Sequence, residues 1–172
     1  MHIAFLEMVI DPVCSLVFEA EAGEADVMRR PPRASDQPLF SAGLIGWSVV
    51  QGALALALVS GIFIVAFERG MPEPEVRALA FFALVLSIVS LIFVNRSFGG
   101  SLRTAFGRPN WALAGVLLVV VIALSLTLLW PFASELFRFG PLHADDLALT
   151  VLAGGTVLLT LEGMKGLWWA RS

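Results

Sequence analysis

The chain has 172 residues, of which 58% are hydrophobic and 15% charged, with a formal net charge of −3. Soluble domains carry roughly 45–50% apolar and about 25% charged residues, so this apolar surplus excludes an ordinary soluble domain of the same length. No run of Lys and Arg points to nucleic acid, and the single cysteine, Cys14, excludes an internal disulfide.

The first element, Ile3–Glu19, is apolar apart from Glu7, Asp11 and Ser15. Alone it fits either a span or a buried soluble helix; beside the longer apolar runs that follow, membrane insertion is the expectation. Its start has no basic flank, and two acids interrupt it, so it does not read as a secretory signal. A connection rich in charge and proline follows, Glu21–Gln37. Gly43–Phe67 then runs 25 residues without a charge, against the roughly 20 that a spanning helix needs. Glu68–Arg77 is a short connection holding Pro72 and Pro74, and Ala78–Asn95 is a further uncharged run of 18. Arg96–Asn110 is rich in glycine and arginine, and Trp111–Ser134 gives 24 uncharged residues. Pro131–Asp146 mixes aromatics with charge. The last run, Leu147–Leu161, continues past Glu162 to Trp169 and is weakened by Gly154-Gly155.

Backbone groups in lipid must be satisfied internally, and runs this continuous argue for helices, because barrel strands would alternate. The expectation is therefore all-α: a multi-pass membrane helical bundle of about five transmembrane helices. It forms one domain over 1–172, with spans near 2–20, 42–67, 76–95, 110–131 and 146–169. Basic residues set the orientation. Arg29, Arg30, Arg33, Arg96, Arg103, Arg108, Lys165 and Arg171 fall on one side, and Arg69, Arg77 and Arg138 on the other. This predicts a cell-membrane protein with its N-terminus outside and its C-terminus cytoplasmic. Trp47, Trp111, Trp130, Trp168 and Trp169 all fall near predicted span ends, where indoles favour the interface.

The chemistry concentrates in the first span. An acid at mid-helix costs about 3 kcal/mol to insert, so two are not expected to be idle. Glu7 and Asp11 are four apart and share a helix face, which Cys14 and Phe18 extend. Like charges this close in a low dielectric call for a cation between them or a proton on one. Pro12 has no N–H, so the Met8 carbonyl loses its helical partner. A freed carbonyl beside two carboxylates suits a hard cation, with Glu7, Asp11 and the Met8 carbonyl as metal ligands. The plainer alternative is that both acids lie at the outer interface and are solvated.

Several segments together carry a resemblance. They are Asp11-Pro12, Glu19-Ala20-Glu21, Asp26-Val27-Met28-Arg29-Arg30-Pro31-Pro32-Arg33 and Gln37-Pro38-Leu39-Phe40. This pattern resembles the cation-transporting P-type ATPases, in which an ion-binding sixth span leads through such a loop into the seventh. The resemblance covers the whole chain and implies the C-terminal membrane domain, spans six to ten. It implies that Asp11 is the sixth-span aspartate that ligates the cation. Glu7 stands where calcium pumps usually have asparagine, Ile10 where they have threonine, and Pro12 replaces their glycine. Ala78–Asn95 also lacks the carboxylate that some calcium pumps place in the eighth span. The pattern is similar to a bacterial branch, and these departures leave the transported ion unassigned.

The family's Asp-Lys-Thr-Gly-Thr phosphorylation motif and any Gly-rich phosphate loop are missing from this sequence. The resemblance therefore implies ATP and Mg2+ on an absent N-terminal half, with no catalytic or cofactor-binding residue in this chain. The expected partners are the lipid bilayer, that N-terminal half and the transported cation, and no nucleic acid. The start of the chain reads as a cut in a longer protein. The alternatives are a stand-alone, non-enzymatic membrane subunit or a truncated relic of a pump.

Other residues have plainer expected roles. Arg29, Arg30 and Arg33 suit either docking to a phosphorylation domain or a topology signal. Glu162 and Lys165 are spaced for a structural pair on one face. His143, Asp145 and Asp146 are too few for a metal site, and one of the two aspartates is expected to cap the last helix. Gln51, Ser87, Ser90, Asn95 and Thr127 are expected to make interhelical hydrogen bonds.

Overall fold

The computed structural model describes residues 2–20, 40–96 and 110–169. Six helices lie among them: α1 (His2–Glu19), α2 (Ala42–Glu68), α3 (Glu73–Asn95), α4 (Trp111–Leu129), α5 (Pro131–Phe137) and α6 (Ala144–Trp169). No strand occurs among the described residues. By length and composition α2, α3, α4 and the Ala144–Lys165 part of α6 can each cross a membrane. α1 is 18 residues long and carries three acids, Glu7, Asp11 and Glu19.

Local chemistry sets the ends of these helices. Ser41 caps α2, its hydroxyl accepting from the Leu44 N–H at 3.2 Å. α2 ends where Gly70 takes a φ of +71°. There the Gly70 and Met71 N–H groups donate back to the Phe67 and Ala66 carbonyls at 3.0 and 3.2 Å. That pairing closes the last turn and needs the left-handed conformation glycine adopts freely. α3 follows at once, with Pro74 in its first turn, where a missing N–H costs nothing.

Asn110 caps α4, accepting from the Leu113 N–H at 3.0 Å. α4 stops at Leu129 because Trp130, preceding a proline, is extended (φ −95°, ψ 114°), and Pro131 opens α5 instead. The apolar run Trp111–Ser134 is thus two helices. α5 closes on Arg138, a non-glycine residue at φ 50°. For α6, the Asp146 carboxylate accepts from the His143 N–H at 3.1 Å, the returning half of a capping box.

α3 is the hub. More than half of its span is buried (56%), against 17% for α2 and 22% for α4. Its nearest neighbour is α6, and Gly154 permits the approach. A Cβ there would lie 3.2 Å from the Leu86 Cβ and 3.3 Å from the Leu86 carbonyl. At the same crossing the Ser90 hydroxyl donates to the Gly154 carbonyl at 2.8 Å. α2 lies against α3 and α6 through Trp47, Val94, Val157 and Leu161, all essentially inaccessible. One reciprocal amide pair also joins α2 to α3. Gln51 Nε2 donates to Asn95 Oδ1 at 2.9 Å, and Asn95 Nδ2 donates to Gln51 Oε1 at 2.8 Å.

A second cluster joins α1, α3, α4 and the α5 region through Val17, Phe81, Phe82, Val85, Val116 and Phe137. Outward-facing Val49, Phe63, Leu118, Val119 and Val151 are exposed, as helices bathed in lipid tails require.

Two expectations change. Trp47 is 1% exposed and belongs to the core, while Trp111 (85%) and Trp130 (54%) are open. Trp168 and Trp169 have side chains outside the described residues. Of the five polar residues expected to link helices, Gln51, Asn95 and Ser90 do. Ser87 donates to the Ala83 carbonyl at 2.7 Å and Thr127 to the Leu124 carbonyl at 2.8 Å, each within its own helix. In an apolar setting the nearest free lone pair belongs to the preceding turn, and a short hydroxyl reaches it without needing a neighbour.

Candidate functional site

α1 rests on α4. The Asn110 side-chain amide, at the start of α4, donates to the Val17 carbonyl at 3.3 Å. Val17 is fully buried and Leu6 packs partly against the same cluster. Leu6 and Val17 are three helical turns apart, so they mark the bundle-facing side of α1. Glu7 is exposed, as are Ala4, Ser15 and Phe18. The side of the helix that carries Glu7 is therefore left open by the described residues.

Asp11 sits one turn beyond Glu7 in helix register; its side chain, like those of Met8, Pro12 and Cys14, lies outside the described residues. α1 is assigned as helix straight through Pro12. A proline at that position withholds an N–H from the Met8 carbonyl, which leaves that oxygen open to another partner. Among the described residues, no group of three or more His, Cys, Asp or Glu side chains comes together as a metal cage. The arginines at 29, 30 and 33 and the rest of the first connection lie outside the described residues.

Beside the Arg77–Glu73 pair in the first turns of α3, α6 carries two charged pairs among the described residues. His143 Nδ1 lies 3.6 Å from an Asp146 oxygen at the exposed start of α6. Near the other end of α6, Lys165 Nζ lies 3.8 Å from a Glu162 oxygen, the pair expected from their spacing. Lys165 is only 6% exposed, and its ammonium also donates to the Val94 carbonyl in the last turn of α3 at 3.2 Å. Sequence reasoning missed that link between helices. Its one available signal is general: the last carbonyls of a helix have no partner within it and attract a nearby lysine.

A helical bundle with four apolar spans and a fifth, acid-bearing helix defines a multi-pass membrane domain. Residues 1–167 match the family described as cation transporting ATPase, C-terminus. The chain therefore belongs to this family of cation-transporting ATPase C-terminal domains. It is 28% identical over 172 residues to a calcium-transporting ATPase of Listeria monocytogenes, covering 94% of this chain and 18% of that protein. It is 29% identical over 138 residues to calcium-transporting ATPase 1 of Lactococcus lactis, covering 80% of this chain and 15% of that protein. The probable cation-transporting ATPase F of Mycobacterium tuberculosis is 26% identical over 142 residues, covering 82% and 16%. The chain thus spans less than a fifth of the length of each of these relatives.

Proposed function

We propose that this chain is the C-terminal membrane half of an ATP-driven cation transporter and supplies part of its intramembrane ion site. Glu7, Asp11 and the Met8 carbonyl are the ligands it contributes. An N-terminal half completes the site, binds ATP and Mg2+, and couples phosphorylation to exposure of the ion on one side or the other. In this reading the chain hydrolyses nothing by itself, sits in the cell membrane with its N-terminus outside and its C-terminus in the cytoplasm, and takes the bilayer and the N-terminal half as partners.

The observation that carries the reading is the placement of Glu7. An acid in an apolar helix costs about 3 kcal/mol to insert, and this one lies on the side of α1 turned away from its own bundle. A second acid follows one turn later. A cation shared with groups from another segment offsets the cost of both.

The test joins the chain to the N-terminal half of a relative and measures cation-stimulated ATP hydrolysis. Asp11→Asn is expected to abolish stimulation and Glu7→Gln to raise the half-saturating cation concentration by tenfold or more. Wild-type stimulation in Asp11→Asn would sink the ligand assignment.

A further inference from the structure

Lys165 is a charged group that the ion site on α1 does not use. Its surroundings are those of a bound cation. The Glu162 carboxylate lies 3.8 Å from Nζ and the Val94 carbonyl 3.2 Å. Val94 is the next-to-last residue of α3, so its oxygen is among the carbonyls left open at the helix end. That end also carries the negative pole of the helix dipole, which favours a cation. Moving an ammonium out of water is costly, and here a carboxylate, a carbonyl and a helix C-terminus converge to offset it. The oxygens come from two helices, α3 and α6, whose crossing is otherwise held by Gly154 and Ser90.

We propose that the Lys165 ammonium is a tethered cation. It fills an oxygen-lined, monovalent-cation position at the contact between α3 and α6, and a mobile ion takes that position once the tether is removed. The Glu162 carboxylate can balance one positive charge, and K+ is close to ammonium in size. While Lys165 is in place the position is closed to free ions.

This inference concerns a different helix pair from Glu7 and Asp11. Its test needs no ATP hydrolysis, so either reading can fail without the other. The full chain is placed in lipid nanodiscs and its thermal unfolding midpoint is titrated with KCl or methylammonium chloride. N-methylglucammonium chloride, too bulky for the position, is the ionic-strength control. The midpoint of Lys165→Ala is expected to fall and then to recover saturably with K+ or methylammonium, but not with the control salt. Wild type and the double variant Lys165→Ala/Glu162→Gln are expected to show no such recovery. A flat response in Lys165→Ala overturns the proposal, as does an equal response in the double variant or to the control salt. Should Lys165→Ala unfold on extraction, recovery of folded chain is compared between the three salts. Recovery in K+ or methylammonium alone supports the proposal, and equal recovery or none in all three overturns it.

Discussion

Substituting Gly140 with alanine tests how tightly the connection after α5 is held to the start of α3. The Gly140 N–H donates to the Pro74 carbonyl at 2.9 Å. A Cβ at Gly140 would lie 2.7 Å from the Glu75 Cγ, 2.8 Å from the Glu75 backbone nitrogen and 3.1 Å from the Pro74 carbonyl carbon. The Glu75 side chain can swing aside, but the backbone atoms cannot, so the connection must lift away from α3. Overpacking of this kind costs about 1–3 kcal/mol. A lost hydrogen bond adds about 1 kcal/mol. The smaller entropy of an alanine chain when unfolded returns about 0.4–1 kcal/mol. The expected net loss is about 1–3 kcal/mol.

The assay is reversible unfolding in mixed micelles, with Gly155→Ala as the comparator. Gly155 lies on the same chain, inside α6, and a Cβ there meets nothing within 4 Å. Removing a helix-interior glycine there should raise stability by up to about 1 kcal/mol. If Gly140→Ala unfolds at the same midpoint as Gly155→Ala, the steric reasoning is wrong.

Two further outcomes are expected from the same assay. Gln51→Leu strands the Asn95 amide in an apolar setting and should cost about 1–3 kcal/mol. Adding Asn95→Leu should return part of that loss, and a cycle with no coupling between the two sites refutes the pairing. Trp47→Ala removes the largest of the fully buried side chains and should cost about 3–5 kcal/mol; a loss under about 1 kcal/mol would place Trp47 at the lipid interface after all.

The all-helical class and the long apolar helices were legible because uninterrupted apolar length is a sufficient signal in a membrane and needs no partner to interpret it. Family membership was legible from the connection at 26–33, where proline and arginine fall in a fixed order, rather than from the spans themselves. α5 was not legible: no charge breaks the run through Leu129 and Trp130, and only the backbone restriction at Pro131 divides it. Trp47 misled because an indole near a span end has the same sequence signature whether it faces headgroups or a neighbouring helix. Ser87 and Thr127 misled because a hydroxyl can satisfy itself on its own helix. The Lys165 link to Val94 was invisible because a carbonyl oxygen belongs to every residue and marks none. For the proposed ion site, sequence supplied two acids four residues apart with a proline after the second. The fold adds that Glu7 lies on the open side of α1.

The helices differ in reach. α2 has 27 residues and α4 has 19. At 1.5 Å per residue these are about 40 Å and about 28 Å, against a hydrocarbon thickness near 30 Å. α2 must lean or project, whereas α4 barely crosses. Tilting lets α2 share a bilayer with the shorter α4. Thickening the membrane would strain α4 first, and through Asn110 that strain would be felt at Val17 on α1. The shortest of the four apolar spans among the described residues is thus also the one bonded to the acid-bearing helix.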